Sequence, residues 1–274
     1  MKEWLSPAKI NLFLHITGQR SDGYHNLQTA FQFLDYSDTL TFEPTQAAEI
    51  KLVTAIEGVE HDSNLIVRAA KALQLFTNTP QGVLISLKKV LPMGGGLGGG
   101  SSNAATTLVA LNELWQCQLS KDELAKIGLS LGADVPIFIH GHAAWAEGVG
   151  EKVTSINPDE PWYIVLVPQV HVSTAEIFSV PELTRDCKTM TIRGFLSGEG
   201  RNVCEQVVRR RYPPVAEALD WLASYAKPRM TGTGACVFAG FNSQVEAQQV
   251  ISKLPSDWQG FIAKGCNSSP LYND

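Results

Sequence analysis

The sequence predicts an α+β fold with strands and helices mixed in both halves of the chain. The first third is rich in strand patterns, and strands and helices then follow one another without a regular βαβ repeat. A segment rich in Gly, Asn and Pro at residues 148–159 separates two such regions. The 274 residues, 44% of them hydrophobic, are enough for two modest cores. We therefore predict domains at residues 1–155 and 156–274.

Strand patterns dominate the beginning of the chain. Residues 9–16 alternate between apolar and polar side chains, and residues 39–42 and 49–53 predict two more strands. Between them, residues 19–25 are polar with Asp22-Gly23 at their centre, which predicts an exposed loop. Functional residues often lie on such loops.

The middle of the chain alternates between helix and strand signals. Ser63 and Asn64 can cap a helix that runs to Phe76, and residues 82–87 predict a strand. Residues 103–115 have helical spacing, and Ser120 with Glu123 forms a capping box for a helix ending near residue 132. Asp134 is then expected at a corner between this helix and a following strand.

The last third begins with a buried strand at residues 162–167. A helix is expected from about residue 202, with a break at residues 213–214 and a second helix to residue 225. A glycine-rich strand at residues 229–241, a helix capped by Ser243 and a strand at residues 259–264 complete the pattern.

Composition excludes several functional classes. Lys and Arg total 22 against 27 Asp and Glu, a net charge of −5, so no overall basic field favours a nucleic acid as partner. No apolar run approaches the roughly 18–20 residues that span a bilayer, and the first twenty residues lack a secretory pattern. We expect a cytoplasmic protein with no membrane partner. The five cysteines are widely spaced without a Cys-x-x-Cys pair, which argues against a disulfide framework or a zinc cluster.

A glycine-rich tract lies between the strand at 82–87 and the helix at 103–115. Glycine fills six of its eleven positions: Pro92, Met93, Gly94, Gly95, Gly96, Leu97, Gly98, Gly99, Gly100, Ser101 and Ser102. Without Cβ atoms this backbone can turn several N–H groups toward one ligand, and the following helix adds its free amides and positive dipole end. The tract therefore predicts a phosphate site.

Other interpretations of the tract remain open. A flexible linker would also be glycine-rich, although it need not precede a well-patterned helix. Gly94, Gly96 and Gly99 satisfy the dinucleotide pattern G-x-G-x-x-G, but no acidic residue closes a second strand about 20 residues later. No Gly-Lys-Ser/Thr follows, so a P-loop is excluded. Lys88 and Lys89, just upstream, are interpreted as a solvated strand edge rather than an anion site.

Three separated segments together resemble the GHMP kinase family. They are residues 7–12 (Pro-Ala-Lys-Ile-Asn-Leu), residues 92–102 and residues 230–235 (Met-Thr-Gly-Thr-Gly-Ala), and their order and spacing match across nearly the whole chain. The resemblance implies an N-terminal half like ribosomal protein S5 domain 2 and a ferredoxin-like C-terminal half, with the site in the cleft. It also implies a transferase that uses ATP as phosphoryl donor, with Mg²⁺ accompanying ATP and an alcohol as acceptor.

The resemblance assigns roles to individual residues. Asp134 is implied to be the catalytic carboxylate and Lys9 its cationic partner, with residues 92–102 binding the ATP phosphates. Taken alone, Asp134 could cap a turn and Lys9 could be an exposed strand lysine. The loop residues 231–234 could form a tight strand bend or pack beside the phosphate site.

Three segments together resemble family members whose substrate carries a cytidine diphosphate group: residues 8–12 (Ala-Lys-Ile-Asn-Leu), 23–25 (Gly-Tyr-His) and 132–136 (Gly-Ala-Asp-Val-Pro). This similarity implies that Tyr24 and Phe178 sandwich the cytosine and that His25 hydrogen-bonds its edge. Asn11 and Thr174 are implied to lie near the rest of the substrate. Phe178 could instead be a core aromatic, and the loop pair could be merely solvated.

One departure from the family concerns the metal. Many members have Gly-Leu-Gly-Ser-Ser where this chain has Gly-Gly-Gly-Ser-Ser at residues 98–102, so the serine that commonly ligates magnesium is replaced or shifted. We therefore predict no protein ligand for the metal. His140 and His142 are expected on one strand face, without a third ligand in evidence.

Three alternative functions remain open at this point. A dinucleotide oxidoreductase would use the glycine tract differently, and a non-catalytic nucleotide-binding module would not need Lys9 and Asp134. A kinase of the same family could act on mevalonate, homoserine or a sugar. The Gly-Tyr-His loop at residues 23–25 is the feature that argues against these substrates.

Overall fold

The computed structural model describes residues 2–150 and 152–273. Its strands are β1 (Glu3–Gln19), β2 (His25–Thr45), β3 (Ile50–Leu52), β4 (Gly82–Lys88), β5 (Ala144–Gly148), β6 (Lys152–Ser155), β7 (Trp162–Val167), β8 (Arg229–Met230), β9 (Val237–Phe241) and β10 (Gln259–Cys266). Its helices are α1 (Leu65–Thr77), α2 (Gly99–Leu114), α3 (Lys121–Leu129), α4 (Val135–His140), α5 (Thr174–Ser179), α6 (Ile192–Leu196), α7 (Glu205–Arg211), α8 (Pro213–Ala223) and α9 (Gln244–Ile251). Short 3-10 turns lie at His61–Ser63 and Pro270–Tyr272.

One continuous sheet joins the two halves of the chain. Its order is β3-β4-β2-β10-β7-β9-β8, while β1 pairs with β2, and β5 pairs with β2 and β6. The join is β10, which pairs antiparallel with β7 through residues 259–264 and with β2 through Gly265 and Cys266. The cleft between the halves is therefore braced by a shared strand.

The hairpin of β1 and β2 positions the N-terminal motif. Its antiparallel register shifts between Pro7 and Lys9 and again between Asn11 and Phe13. Such irregularities re-aim side chains and are common beside functional sites. Residues 6–14 are all buried, so the alternation expected for residues 9–16 does not translate into one solvated face.

Three apolar clusters form the interior. One packs α1, α2, α3 and α4 against β2 and β4, and a second packs α5, α7, α8 and α9 against β7 and β9. The third lies between them and joins residues of β1 to residues of the C-terminal half, including Ile10, Phe13, Val165 and Phe238. The boundary at residues 155 and 156 falls between β6 and β7 and stays a prediction.

Several local expectations are confirmed by the caps. The Asn64 side chain accepts from Ile66 N at 2.9 Å at the start of α1. Ser120 and Glu123 form the reciprocal capping box of α3. The polar loop before β2 is an exposed turn in which Asp22 accepts from Tyr24 N at 3.1 Å.

The segment after Asp134 was expected to be a strand, and this is wrong. Asp134 occupies the N-cap position of α4, which has Pro136 in its first turn and is followed by the C-cap residue Gly141 with φ of +74°. Proline without an N–H suits a first turn, and glycine suits a left-handed helix end. His140 is the last residue of this helix, so His140 and His142 do not share a strand face.

Other differences concern helix and strand limits. Residues 99–102, expected as loop, form the first turn of α2, and the helix expected near residue 202 begins at Glu205. Pro213 and Pro214 start α8 instead of only breaking a helix. The strand expected at residues 229–241 is interrupted by a turn in which Gly232 and Gly234 have φ of +56° and +92°. The sequence predicted neither the antiparallel pair of β5 and β6 nor helix α6.

Candidate active site

A cavity of about 660 Å³ lies between the two halves of the chain. The N-terminal half contributes β1, the glycine-rich tract, the start of α2 and the segment before α4. The C-terminal half contributes Thr174, Phe178, Gly232 and Thr233. Most of the predicted site residues thus meet in one place, although they are spread from position 9 to position 178 in the sequence.

Lys9 and Asp134 form an ion pair at the wall of this cavity. Lys9 is only 3% exposed, and its Nζ lies 3.4 Å from Asp134 Oδ2. The same ammonium donates to Asn11 Oδ1 at 2.7 Å and to Gly96 O at 3.0 Å. The interpretation of Lys9 as an exposed strand lysine is therefore wrong, because its charge is fixed inside the protein.

The Asp134 carboxylate is not used as a helix cap. It makes no capping hydrogen bond to α4, although it stands at the N-cap position. Its side chain is 36% exposed and lines the cavity. The carboxylate therefore has a cationic partner on one side and access to a ligand on the other.

Asn11 holds Lys9 in position. Its Oδ1 accepts from Lys9, its Nδ2 donates to Thr29 Oγ1 at 2.9 Å, and its backbone N–H donates to Thr231 Oγ1 at 2.9 Å. Asn11 also lines the cavity. Its contact with the substrate stays a prediction, whereas its hydrogen bonds to Lys9 and Thr29 show that the side chain also has a structural role.

The glycine-rich tract is a tightly packed turn rather than a flexible linker. Leu97 is 1% exposed, and its carbonyl accepts from Lys9 N at 2.9 Å. Gly94, Gly96 and Gly98 have φ between +69° and +78°, which L side chains rarely adopt. A Cβ on Gly96 would lie 2.4 Å from Thr231 O. The backbone conformation therefore requires glycine here.

The tract leads directly into α2 and leaves its first amides without intrahelical partners. The N-cap residue Gly98 offers no side chain to cap them. An uncapped helix start beside a cavity is suited to a phosphate. Ten of the eleven predicted phosphate-loop residues line the cavity, and Ser102 is the exception. Ser102 is buried, and its hydroxyl accepts from Ser6 Oγ at 2.9 Å.

Sequence reasoning missed Asp38, which ties both ends of the tract together. Its buried carboxylate accepts from Lys89 Nζ at 2.8 Å, from the backbone N–H groups of Val90 and Leu91, and from Asn103 Nδ2. The interpretation of Lys89 as part of a solvated edge is wrong for this reason. These partners are 51 to 65 positions away from Asp38, so no local pattern identifies it.

The third motif, residues 230–235, braces the glycine-rich tract. Thr231 Oγ1 donates to Gly96 O at 3.1 Å, and Cys236 N donates to Gly95 O at 3.1 Å. Residues 231–234 thus pack beside the tract, and their place beside a bound phosphate stays a prediction. Behind them, Asn202 Nδ2 donates to the carbonyl oxygens of residues 230 and 232, and Glu205 accepts from the N–H of residue 230. Burial raises the pKa of Glu205 above its usual value.

The residues expected to bind a cytosine come from two separate segments. The rings of His25 and Phe178 lie 5.2 Å apart with an interplanar angle of 31°. Tyr24 precedes His25 and is 67% exposed, and Thr174 Oγ1 lies 2.8 Å from Thr233 Oγ1. Phe178 is half-buried and packs against the C-terminal cluster, so the core interpretation holds in part.

A residue that the sequence did not indicate joins this group. Arg185 Nε donates to His25 Nε2 at 3.2 Å. Desolvation by burial, followed by the charge of Arg185, lowers the pKa of His25. Among residues 2–150 and 152–273, no group of three or more His, Cys, Asp or Glu is placed to hold a metal ion. Within the same ranges, no helix is long and apolar enough to cross a membrane.

Comparison with known proteins gives two family matches. Residues 64–142 match the GHMP kinases N terminal domain, and residues 190–260 match the GHMP kinases C terminal domain. Relatives named 4-diphosphocytidyl-2-C-methyl-D-erythritol kinase, from Nitrosococcus oceani and Shewanella baltica, are each 58% identical. The first alignment covers 98% of this chain and 96% of the relative, and the second covers 98% and 95%.

Solved structures agree with the sequence matches. A crystal structure of 4-(cytidine 5'-diphospho)-2C-methyl-D-erythritol kinase has a TM-score of 0.85 at 30% identity, covering 96% of this chain and 99% of that one. A mevalonate kinase shares the fold with a TM-score of 0.73 at 17% identity, covering 98% and 100% of the two chains. These matches confirm the predicted α+β GHMP kinase fold and contradict the dinucleotide oxidoreductase alternative. The chain belongs to the GHMP kinase family.

Proposed function

We propose that this chain phosphorylates the 2-hydroxyl of 4-diphosphocytidyl-2-C-methyl-D-erythritol with ATP, a step of the non-mevalonate isoprenoid pathway. The relatives that are 58% identical over almost the full chain carry the name of this kinase. The structural observation that carries the proposal is the Lys9–Asp134 ion pair, which faces the same cavity as the uncapped start of α2. We place the enzyme in the cytoplasm, with a small-molecule substrate as its partner.

Phosphoryl transfer requires mainly that donor and acceptor are held in line and that charge is offset. The substrate oxygen attacks the γ-phosphorus, the bond between that phosphorus and the β,γ-bridging oxygen breaks, and ADP leaves. Asp134 accepts the hydroxyl proton, or orients the hydroxyl until that proton is transferred. Lys9 faces the charge that develops on the migrating group, and its buried hydrogen bonds keep it in place.

The phosphates of ATP would lie against the glycine-rich tract and the first turn of α2. Mg²⁺, when bound with ATP, offsets the charge on the phosphate oxygens. Among residues 2–150 and 152–273, Asp134 is the one carboxylate that lines the cavity, and Ser101 lies at the first turn of α2. This sparse donor set suits a metal held largely by phosphate oxygens and water, with Asp134 and Ser101 within the same cavity.

The cytosine end is what distinguishes this kinase from relatives that act on mevalonate or homoserine. Tyr24 and Phe178 offer aromatic faces, and His25 offers a polar edge. The rings of His25 and Phe178 contact each other in this structure. We propose that these three residues recognise the base, while Asn11 and Thr174 lie toward the erythritol and phosphate parts.

The test is ADP release by the purified protein with ATP and Mg²⁺. The acceptors offered in parallel are 4-diphosphocytidyl-2-C-methyl-D-erythritol, mevalonate, homoserine and galactose, with Asp134→Asn as the inactive control. Turnover with the cytidyl substrate alone is expected. Turnover with another acceptor would overturn the substrate assignment, and ATP binding without any turnover would leave only a nucleotide-binding module.

A further inference from the structure

The Arg185 side chain contacts His25 and the backbone of Phe178 at the proposed base site. It lies in the segment after α5, and all five of its N–H groups have partners. Four donate to main-chain carbonyl oxygens of that segment, at distances of 2.7 to 3.4 Å: Phe178, Val180, Pro181 and Leu183. The fifth, on Nε, donates to His25 Nε2 at 3.2 Å. One guanidinium thus links the backbone of Phe178 to the ring of His25.

The direction of the last hydrogen bond fixes where the His25 proton lies. A guanidinium has only donors and stays protonated at all ordinary pH values. His25 Nε2 must therefore accept, so it carries no proton, and the neutral ring carries its single proton on Nδ1. A doubly protonated ring would set an N–H against an N–H beside a positive charge. Arg20 and Asp22, in the turn that precedes His25, form an ion pair with each other.

We propose that Arg185 is a positioning residue that holds His25 as the Nδ1-protonated neutral tautomer and thereby favours cytosine over uracil. The inference about the base rests on the proposed function, whereas the tautomer does not. In cytosine N3 is a hydrogen-bond acceptor, and in uracil N3 carries a proton. A donor fixed at Nδ1 pairs with the first and opposes the second.

The same arginine also fixes the position of His25, which would bind the edge of the base, relative to Phe178, which would stack on its face. Its bond to the Phe178 carbonyl, at 3.0 Å, fixes the backbone that carries the stacking ring. His25 and Phe178 come from different halves of the chain, and their rings are 5.2 Å apart. A lysine at this position has a single ammonium and cannot serve four carbonyl groups and a ring nitrogen together.

The tautomer is measured first, on wild-type protein without ligand. Imidazole ¹⁵N chemical shifts of histidine-labelled protein are expected to show His25 Nε2 unprotonated and Nδ1 protonated, with the signals assigned by their loss in His25→Gln. In Arg185→Lys the population is expected to move toward the Nε2-protonated form. A protonated Nε2 in the wild type would overturn the proposal whether or not any variant folds.

Base preference is measured second, from the dissociation constants of CDP and UDP. We expect Arg185→Lys to lower the preference for CDP by about tenfold, the loss of one good hydrogen bond, while the Kd for ATP stays within about twofold. KM for the cytidyl substrate should rise, with kcat at saturation nearly unchanged. Arg210→Lys, at an exposed position on α7, is the matched control.

The outcomes separate this inference from the proposed function. A folded Arg185→Lys protein with an unchanged CDP to UDP ratio would overturn the role in base preference. A wild-type protein that binds neither nucleotide would overturn the proposed function, and the base preference with it, while the ¹⁵N shifts still decide the tautomer. A fall in kcat without a change in KM would make Arg185 a structural residue rather than a positioning one.

Discussion

The two ends of the proposed site, one inside the cavity and the other at Tyr24 and His25 outside its lining, are built differently. At the phosphate end, Lys9, Asn11 and Thr231 are buried and share one hydrogen-bond network with the backbone of Gly96. At the base end, Tyr24 is 67% exposed, and His25 and Phe178 are half-buried on segments held by Arg185. Transfer of a phosphoryl group requires that the reacting groups are held in fixed positions, whereas binding of a large substrate requires an accessible entrance to the site. The contrast predicts losses of turnover at one end and losses of binding at the other.

The largest effect is expected at Asp134. Asp134→Asn keeps the shape of the side chain and removes its charge and its capacity to accept a proton, so kcat should fall by roughly 10²–10⁴-fold. The Kd for ATP should stay within a few fold, because the glycine-rich tract is untouched. Steady-state kinetics and ATP titration measure the two quantities. Asp122→Asn, on the exposed side of α3, is the matched control. Near-normal turnover would remove Asp134 from the mechanism.

Removal of the Lys9 charge should be nearly as severe. Lys9→Met keeps the apolar stem and deletes the ammonium, so we expect kcat to fall by about 10²–10³-fold, as for the loss of one group that stabilises transition-state charge. The carbonyl of Gly96 and the Oδ1 of Asn11 each lose the hydrogen bond from Lys9, and a lower melting temperature should accompany the change. Lys88→Met, at an exposed position at the end of β4, should alter neither quantity. Equal losses in both variants would show that charge near the tract, rather than the buried pair, matters.

The glycine-rich tract offers a comparison within one segment. Gly96 has φ of +78° and its Cβ would meet Thr231 O at 2.4 Å, whereas a Cβ on Gly100 would make an ordinary contact of 3.4 Å with Leu65. Gly96→Ala should therefore destabilise the fold by about 2 kcal/mol or more, since the left-handed conformation alone costs about 1–2 kcal/mol. Gly100→Ala should not destabilise it, because alanine favours a helix. Denaturant unfolding of both variants decides this, and equal stabilities would mean that the turn relaxes without strain.

The sequence predicted the residues at the proposed phosphate end better than the residues that hold them in place. Lys9, Asp134 and the glycine tract belong to compact motifs, and glycine density has few explanations other than an approaching ligand. Asp38, Asn202 and Glu205 act through partners far away in the sequence, so no local pattern identifies them. The prediction of a strand after Asp134 failed because residues 135–139 are apolar throughout and fit a buried strand as well as a short buried helix.

The base end was predicted only through the resemblance. Tyr24, His25 and Phe178 have no common spacing, and the loop pattern before β2 indicates exposure but no ligand. Arg185 lies among residues without strong helix or strand periodicity, so its hydrogen bonds to the segment after α5 could not be foreseen. These bonds depend on the path of the backbone after α5, which side-chain patterns do not encode. Roles for all four residues stay predictions until binding is measured.

The smallest effect is expected at Tyr24, and it should fall on binding alone. Because this side chain is exposed and outside the buried network, Tyr24→Ala should weaken substrate binding by about 1–2 kcal/mol through lost stacking on the base. Turnover at saturating substrate and thermal stability should both stay near the wild-type values. Tyr24→Phe keeps the aromatic face and should restore most of the affinity. Calorimetric titration with CDP separates the cases: an unchanged Kd in Tyr24→Ala would remove the tyrosine from the site, whereas a loss also present in Tyr24→Phe would show that its hydroxyl, rather than its ring, contacts the ligand.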